Sequence, residues 1–203
     1  MRFLRLLRIF IPLLLVAAII AAVVVVLTSR NELQSSRRKV QDTWTPLRGD
    51  LDQRYVALAL ANNAVINVTG PLHAISTQVT SAYNQWQGLE RQHGGISAEV
   101  TAANNLESLG RRLVLAARAA PRLKGDTKAL AAIAAYAGLP APPGADGYNQ
   151  AVVHFEKERN RPARSVAAQL LGYDAIPAYA QSATSGTTPT TTPGATPTTT
   201  GTS

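Results

Sequence analysis

Between Ile9 and Leu27 the chain reads IFIPLLLVAAIIAAVVVVL, without a single charge. In hydrocarbon every backbone amide must find its partner within the same segment, so an isolated run this apolar is helical. Its length meets the roughly 20 residues that cross a bilayer core. The segment 9–29 is therefore expected to be a single-pass transmembrane helix, entered through a basic segment 1–8 that carries Arg2, Arg5 and Arg8. A secretory signal peptide has the same order of parts, but its apolar core is about 7 to 15 residues long and ends in a small-x-small cleavage site. TSRNELQSSRRK offers no such exit, and an uncleaved anchor is the expectation. Ala17, Ala18, Ala21 and Ala22 have the small-xxx-small spacing that lets two membrane helices approach, and equally suit plain apolar filler.

Charge does not orient this anchor, because Arg30, Arg37, Arg38 and Lys39 balance the arginines on its other side. The far end does more. From Ser182 onward there is no charged or aromatic residue, and segment 182–203 is almost entirely Thr, Pro, Gly, Ser and Ala. That composition cannot build a core, is expected to be disordered, and is that of O-glycosylated stalks. The expected arrangement is a protein of the cell (inner or plasma) membrane with its N-terminus inside and its domain, 30–181, outside the cytoplasm. The absence of cysteine excludes disulfides, thiolate nucleophiles and thiolate metal sites. The formal charge of +8 is partly spent before the apolar run, so the domain carries a mild bias rather than a nucleic-acid footprint. No nucleic-acid partner is expected.

Within the domain, Leu33, Val40, Trp44, Leu47, Leu51, Tyr55 and Leu58 recur at helical spacing and predict a first helix continuing from the anchor. Pro46 should kink or interrupt it. A second helix is predicted from Thr69, as its cap, to Arg91, with Leu72, Ile75, Val79, Tyr83 and Trp86 on one side and the turn HGG after it. A third runs from Ser97 to Pro121 through Val100, Leu106, Leu109, Leu113 and Leu115. Asp126 opens a short alanine-rich helix to Tyr136, GLPAPPGADG is a loop, and a last helix starts near Tyr148. Strand signals are missing. The fold class is all-α: a transmembrane helix, an antiparallel four-helix-type bundle and a disordered tail.

These elements resemble the LemA family of bacterial membrane-anchored helical proteins. The resemblance is carried by RNELQSSRRKVQDTWTPLRGDLDQRY through Asn31, Leu33, Val40, Trp44, Leu51 and Arg54. It continues in APRLKGDTKALAAI, with Ala120 before Pro121, and in YNQAVVHFEKERNRP followed by LLGY, through Tyr148, Asn149, Ala151, Val152, Pro162, Leu171, Gly172 and Tyr173. It spans about Arg30 to Tyr179 in the family's element order. The family's Pro-Asn-Leu segment is not matched by ALALANN, and the Thr/Pro tail is an addition. The resemblance implies an anchored four-helix bundle without established catalytic residues.

No catalytic residue, metal or cofactor is expected. His154 and Glu158, four apart, share a helix face but are too few to hold a metal. His73 and His93 are isolated, and Asp50 and Asp52 point in different directions on a helix, which suits a surface rather than a carboxylate pair. No nucleophile elbow, phosphate loop or His-Glu-x-x-His occurs. Arg111, Arg118 and Arg122 fall seven and four apart, either a docking stripe for an acidic partner or anionic lipid, or an ordinary solvated face. After Pro162, the residues Val166, Leu170, Leu171 and Tyr173 either plug the bundle's lower end or rest at headgroup level. The expected function is a non-enzymatic scaffold or protein-interaction module of the bacterial cell envelope, with an envelope protein as unidentified partner and self-association possible. An accessory envelope enzyme built around His154 and Glu158, or a cytoplasm-facing basic tether, are the alternatives.

Overall fold

The computed structural model describes the backbone of residues 2–92 and 94–180, and side chains from Val24 onward except those of residues 25, 26, 93 and 163. Among the described residues six α-helices follow one another: α1 Arg2–Val65, α2 Pro71–Arg91, α3 Ile96–Ala119, α4 Thr127–Ala137, α5 Ala145–Arg159 and α6 Pro162–Leu170, with a 3-10 turn at Pro121–Leu123. The domain is all-helical. The expected tail at 182–203 and His93 lie outside the described residues. So do most side chains of the expected membrane span 9–29. Among the described residues no helix is long and apolar enough to cross a membrane.

α1 is the element on which the others are hung. At 1.5 Å per residue its 64 residues extend about 96 Å. The stripe Leu33, Val40, Trp44, Leu47, Leu51, Tyr55 and Leu58 is buried throughout and continues through Ala61 and Val65. Pro46 does not break it, and α1 is assigned as one helix across this position. Pro46 itself is exposed. The neighbouring hydroxyls of Thr43 and Thr45 bond back to the carbonyls of Lys39, Val40 and Gln41 at 2.9 to 3.0 Å.

Cross-helix bonds give the directions. From α1 to α2 they join Asn62 to the Ser76 carbonyl, Asp52 to Trp86 and Arg48 to Glu90, rising on one helix as they fall on the other, so the two are antiparallel. From α1 to α3 they join Trp44 to Glu99, Tyr55 to the Ala103 carbonyl and Arg54 to Glu107, so these run in the same direction. The fourth rod is split. α4 brings Tyr136 against Arg54, residues 138–144 break the helix, and α5 resumes beside Leu47 and Trp44 and descends along α1.

Several boundaries differ from those read in sequence. α2 starts at Pro71 with Gly70 at its cap, φ 96°, and Thr69 does not cap it; its hydroxyl accepts instead from Arg122 at 2.5 Å. α5 begins at Ala145, three residues before Tyr148, because Ala145 and Tyr148 are both drawn into the core. Leu115 is exposed rather than on the apolar face of α3. Asp126 caps α4 as expected, accepting from the Ala129 amide at 2.9 Å. Pro162 stops α5 and then serves as the first residue of a new helix, where its missing donor has no cost.

Glycines on two helices make the packing testable. A Cβ on Gly110 would enter the hydroxyl and ring of the buried Tyr136, whereas one on Gly88 meets nothing within 4 Å. Gly110→Ala should destabilise by about 1–3 kcal/mol through overpacking. Gly88→Ala should stabilise by about 0.5–1 kcal/mol through helix propensity. Urea denaturation of the two variants checks both signs.

Candidate functional site

Two polar groups are assembled on the bundle, each brought together from helices distant in sequence. The innermost is Arg54 with Glu107, at 7% and 0% exposure. The Arg54 Nε donates to Glu107 at 2.7 Å, and its Nη1 reaches the carbonyls of Pro140 at 3.2 Å and Leu139 at 3.4 Å. Those are the carbonyls that the break in the fourth rod strips of helical partners. The guanidinium also lies 5.3 Å from the centre of the Tyr136 ring. Burial alone would lower the Arg54 pKa, but the hydrogen bond and charge of Glu107 overcome it and the net shift is upward.

Around this pair stands an aromatic chain. Tyr55 lies 5.2 Å from Trp86, Trp86 6.4 Å from Trp44, and Trp44 5.1 Å from Tyr148, the first two contacts edge-on. Both indoles donate to carboxylates: Trp44 to Glu99 at 2.6 Å and Trp86 to Asp52 at 2.8 Å. Asp52 is thus half-buried and structural rather than a surface carboxylate. Burial raises its pKa against the lowering effect of the Trp86 bond. Glu99 also accepts from Arg48 at 3.5 Å.

The second group lies at the end nearer the apolar run, where Asn31, Glu32, Ser35, Ser36, His154, Glu158, Arg161 and Arg164 line a cleft of about 470 Å³. Glu158 is bonded by Arg161 at 2.9 Å and by Arg164, which also bonds Glu32. Two arginines thus share the Glu158 carboxylate, and His154 stands exposed at the rim. Among the described residues no three His, Cys, Asp or Glu side chains converge as metal ligands.

The expected contact residues are placed as follows. Val166 and Leu170 are 59% and 73% exposed, Leu171 is exposed and Tyr173 is half-buried. The segment divides its roles: Ala167 and Ala168 of α6 face inward, and Ile176 and Tyr179 further on are buried. Arg37 stacks 5.5 Å above the Tyr173 ring, tying this edge to the basic stretch of α1. Arg111 and Arg118 are exposed on α3. Arg122 does not share their helix face, because α3 ends at Ala119 and Arg122 belongs to the 3-10 turn. There it lines an apolar cleft of about 550 Å³ between the start of α2 and the end of α3.

Sequence reasoning missed Glu107 and Glu99. An acidic residue in an otherwise apolar face of α3, such as Glu107 beside Leu106, was the available signal. No family model, no curated protein and no solved structure matches this chain. The likeness to the LemA family rests on the motifs quoted above.

Removing one partner of a buried ion pair strands the other, which costs about 3–5 kcal/mol. Glu107→Gln should lose stability on that scale in urea denaturation, and Arg54→Met with Glu107→Leu should recover part of it. A second expectation concerns pH. Burial is the leading cause that raises the pKa of Tyr55, Tyr136, Tyr148 and Tyr179. The unfolded chain releases these protons near pH 10 while the folded chain keeps them. Stability should be complete below about pH 10 and fall as pH rises further. In a chain with Tyr83→Phe and Tyr173→Phe, which leaves these four tyrosines alone, tyrosinate absorbance and loss of helical circular dichroism should therefore rise together; the four titrating with helix retained would contradict this.

Proposed function

We propose that this chain is a membrane-anchored, non-catalytic helical scaffold of the bacterial cell envelope, of the LemA type, whose bundle is seated on the bilayer by the outer edge of α6. The observation that carries the reading is a juxtaposition. The exposed Val166 and Leu170 stand on the helix that bonds Glu32 through Arg164, and the exposed Leu171 caps it. Glu32 follows the apolar run Ile9–Leu27 by little more than one helical turn, and Val24 and Leu27 are themselves exposed. A continuous helix thus carries the apolar run directly to an apolar edge.

Charge supports the same placement. Arg30, Arg37, Arg38 and Lys39 ring this end of α1 and are exposed. Basic residues at an anionic lipid surface contribute about 1 kcal/mol each. Leu170 and Leu171 would enter the headgroup layer, with Tyr173 at its boundary, where tyrosine is favoured. The non-catalytic part of the proposal is supported by the pairing of Glu158 with two arginines, which leaves the His154 neighbourhood without an available carboxylate base. Arg111 and Arg118, at the opposite end, would then face an acidic partner protein in the envelope.

The chain has no cysteine, so one introduced thiol gives a unique reporter. In nanodiscs, an environment-sensitive dye on Leu170→Cys should shift to the blue and brighten relative to the same dye on Leu115→Cys, which is exposed at the distal end. Equal, water-like emission at both sites would defeat the membrane seat. For orientation, Asn105→Cys, also exposed, should react with a membrane-impermeant maleimide in intact, outer-layer-permeabilised cells. Labelling only after lysis would reverse the proposed topology.

A further inference from the structure

After α6 the chain does not leave the bundle. Gly172, at φ 68°, lets the Tyr173 amide bond back to the Ala168 carbonyl at 2.9 Å and closes the helix. Residues 174–180 carry no helical assignment, and their backbone bonds to side chains of α3 and α5. Asn149 of α5 accepts from the Tyr179 amide at 2.8 Å and donates to the Tyr179 carbonyl at 3.0 Å. Asn104 of α3 donates to the Ala178 carbonyl at 2.9 Å and accepts from the Ala180 amide at 2.7 Å. Each carboxamide offers a donor and an acceptor side by side, as the edge of a β-strand does. The Tyr148 hydroxyl donates to the Pro177 carbonyl at 2.9 Å, and Glu156 accepts from the Ile176 amide at 3.0 Å.

All these bonds go to main chain, which any residue could supply. Selectivity comes from Ile176 and Tyr179, both buried and three apart, the repeat of a polyproline II segment, with Pro177 between them. Tyr179 is the deeper anchor, at 2% exposure. Its phenol is buried in the core, and burial is the leading cause of the upward shift of its pKa. The joint at Gly172 completes α6 before the strap begins, so the strap can leave while α6 keeps its own bonds.

We propose that the groove between α3 and α5 is a peptide-recognition site for an extended segment with an aliphatic residue followed three positions later by tyrosine. Residues 174–180 fill it within the same chain as a detachable strap, and its occupant in trans is the same strap of a second copy. The second copy is the fitting occupant because it presents the one sequence already complementary to the groove.

The test uses full-length chains in detergent micelles, where the membrane seat has no influence. One variant, Ile176→Ser with Tyr179→Ser, keeps the groove and loses the strap; the other, Asn104→Ala with Asn149→Ala, keeps the strap and weakens the groove. Mixed, they should form a one-to-one heterodimer by native mass spectrometry that neither forms alone. A labelled peptide spanning residues 173–181 should bind the strap-less variant at least ten-fold more tightly than the unaltered chain, where the groove is filled. Folded variants, verified by circular dichroism, that give neither complex overturn the proposal. Hydrogen exchange on the unaltered chain is independent of variant folding. The Ile176, Tyr179 and Ala180 amides should exchange at least ten-fold faster than those of the α3 core, and exchange only with global unfolding would show a permanent part of the core and overturn the detachable strap.

Discussion

The ion pair between Arg54 and Glu107 is the interaction on which the rest of the bundle depends. Two opposite charges removed from water are tolerable only if the geometry is good and the remaining donors are used. Arg54 meets both conditions with groups from three places: the carboxylate on α3, the carbonyls of Leu139 and Pro140, and the face of Tyr136. The break between α4 and α5 is therefore a participant in the fold. It exposes carbonyls that the guanidinium needs, at the level where α1 and α3 are already bonded. Gly110 completes the arrangement by leaving room for Tyr136.

From that centre the bundle is organised as pairs of aromatic rings and carboxylates. Trp44 and Trp86 each bury a ring and donate from its edge, to Glu99 and Asp52. A buried indole must find an acceptor, and each one found here fixes a register between two helices. The same economy operates at the groove of α3 and α5, where Asn104 and Asn149 bond a chain that is not helical. Both are half-buried, and each gives one amide donor and its oxygen to the strap, which offsets the cost of packing polar groups against it.

The proposed function draws on the opposite property, surface left uncovered. Val166, Leu170 and Leu171 contribute little to the core, so their apolar character asks for a different solvent. That solvent is proposed from α1, whose helix leads without interruption toward the apolar run. One face of α6 is buried through Ala167 and Ala168, and the other is exposed.

By itself the sequence determined the helices and their buried faces, because periodicity is a local property: the stripe from Leu33 to Leu58 was legible residue by residue, as were Asp126 as a cap and Pro162 as a stop. It also determined that 9–27 is apolar and 182–203 uncharged. Of the two outcomes local rules allowed at Pro46, a kink or an interruption, the interruption does not occur, since the helix is assigned through this exposed position. The partners were not legible. Whether Glu107 is a surface charge or a buried one depends on Arg54 arriving from a helix 53 positions away, and Asn104 and Asn149 become a site only when residues 174–180 fold between them. Such pairings are set by how helices stack, which depends on the simultaneous fit of all the rods, so tertiary structure alone decided them.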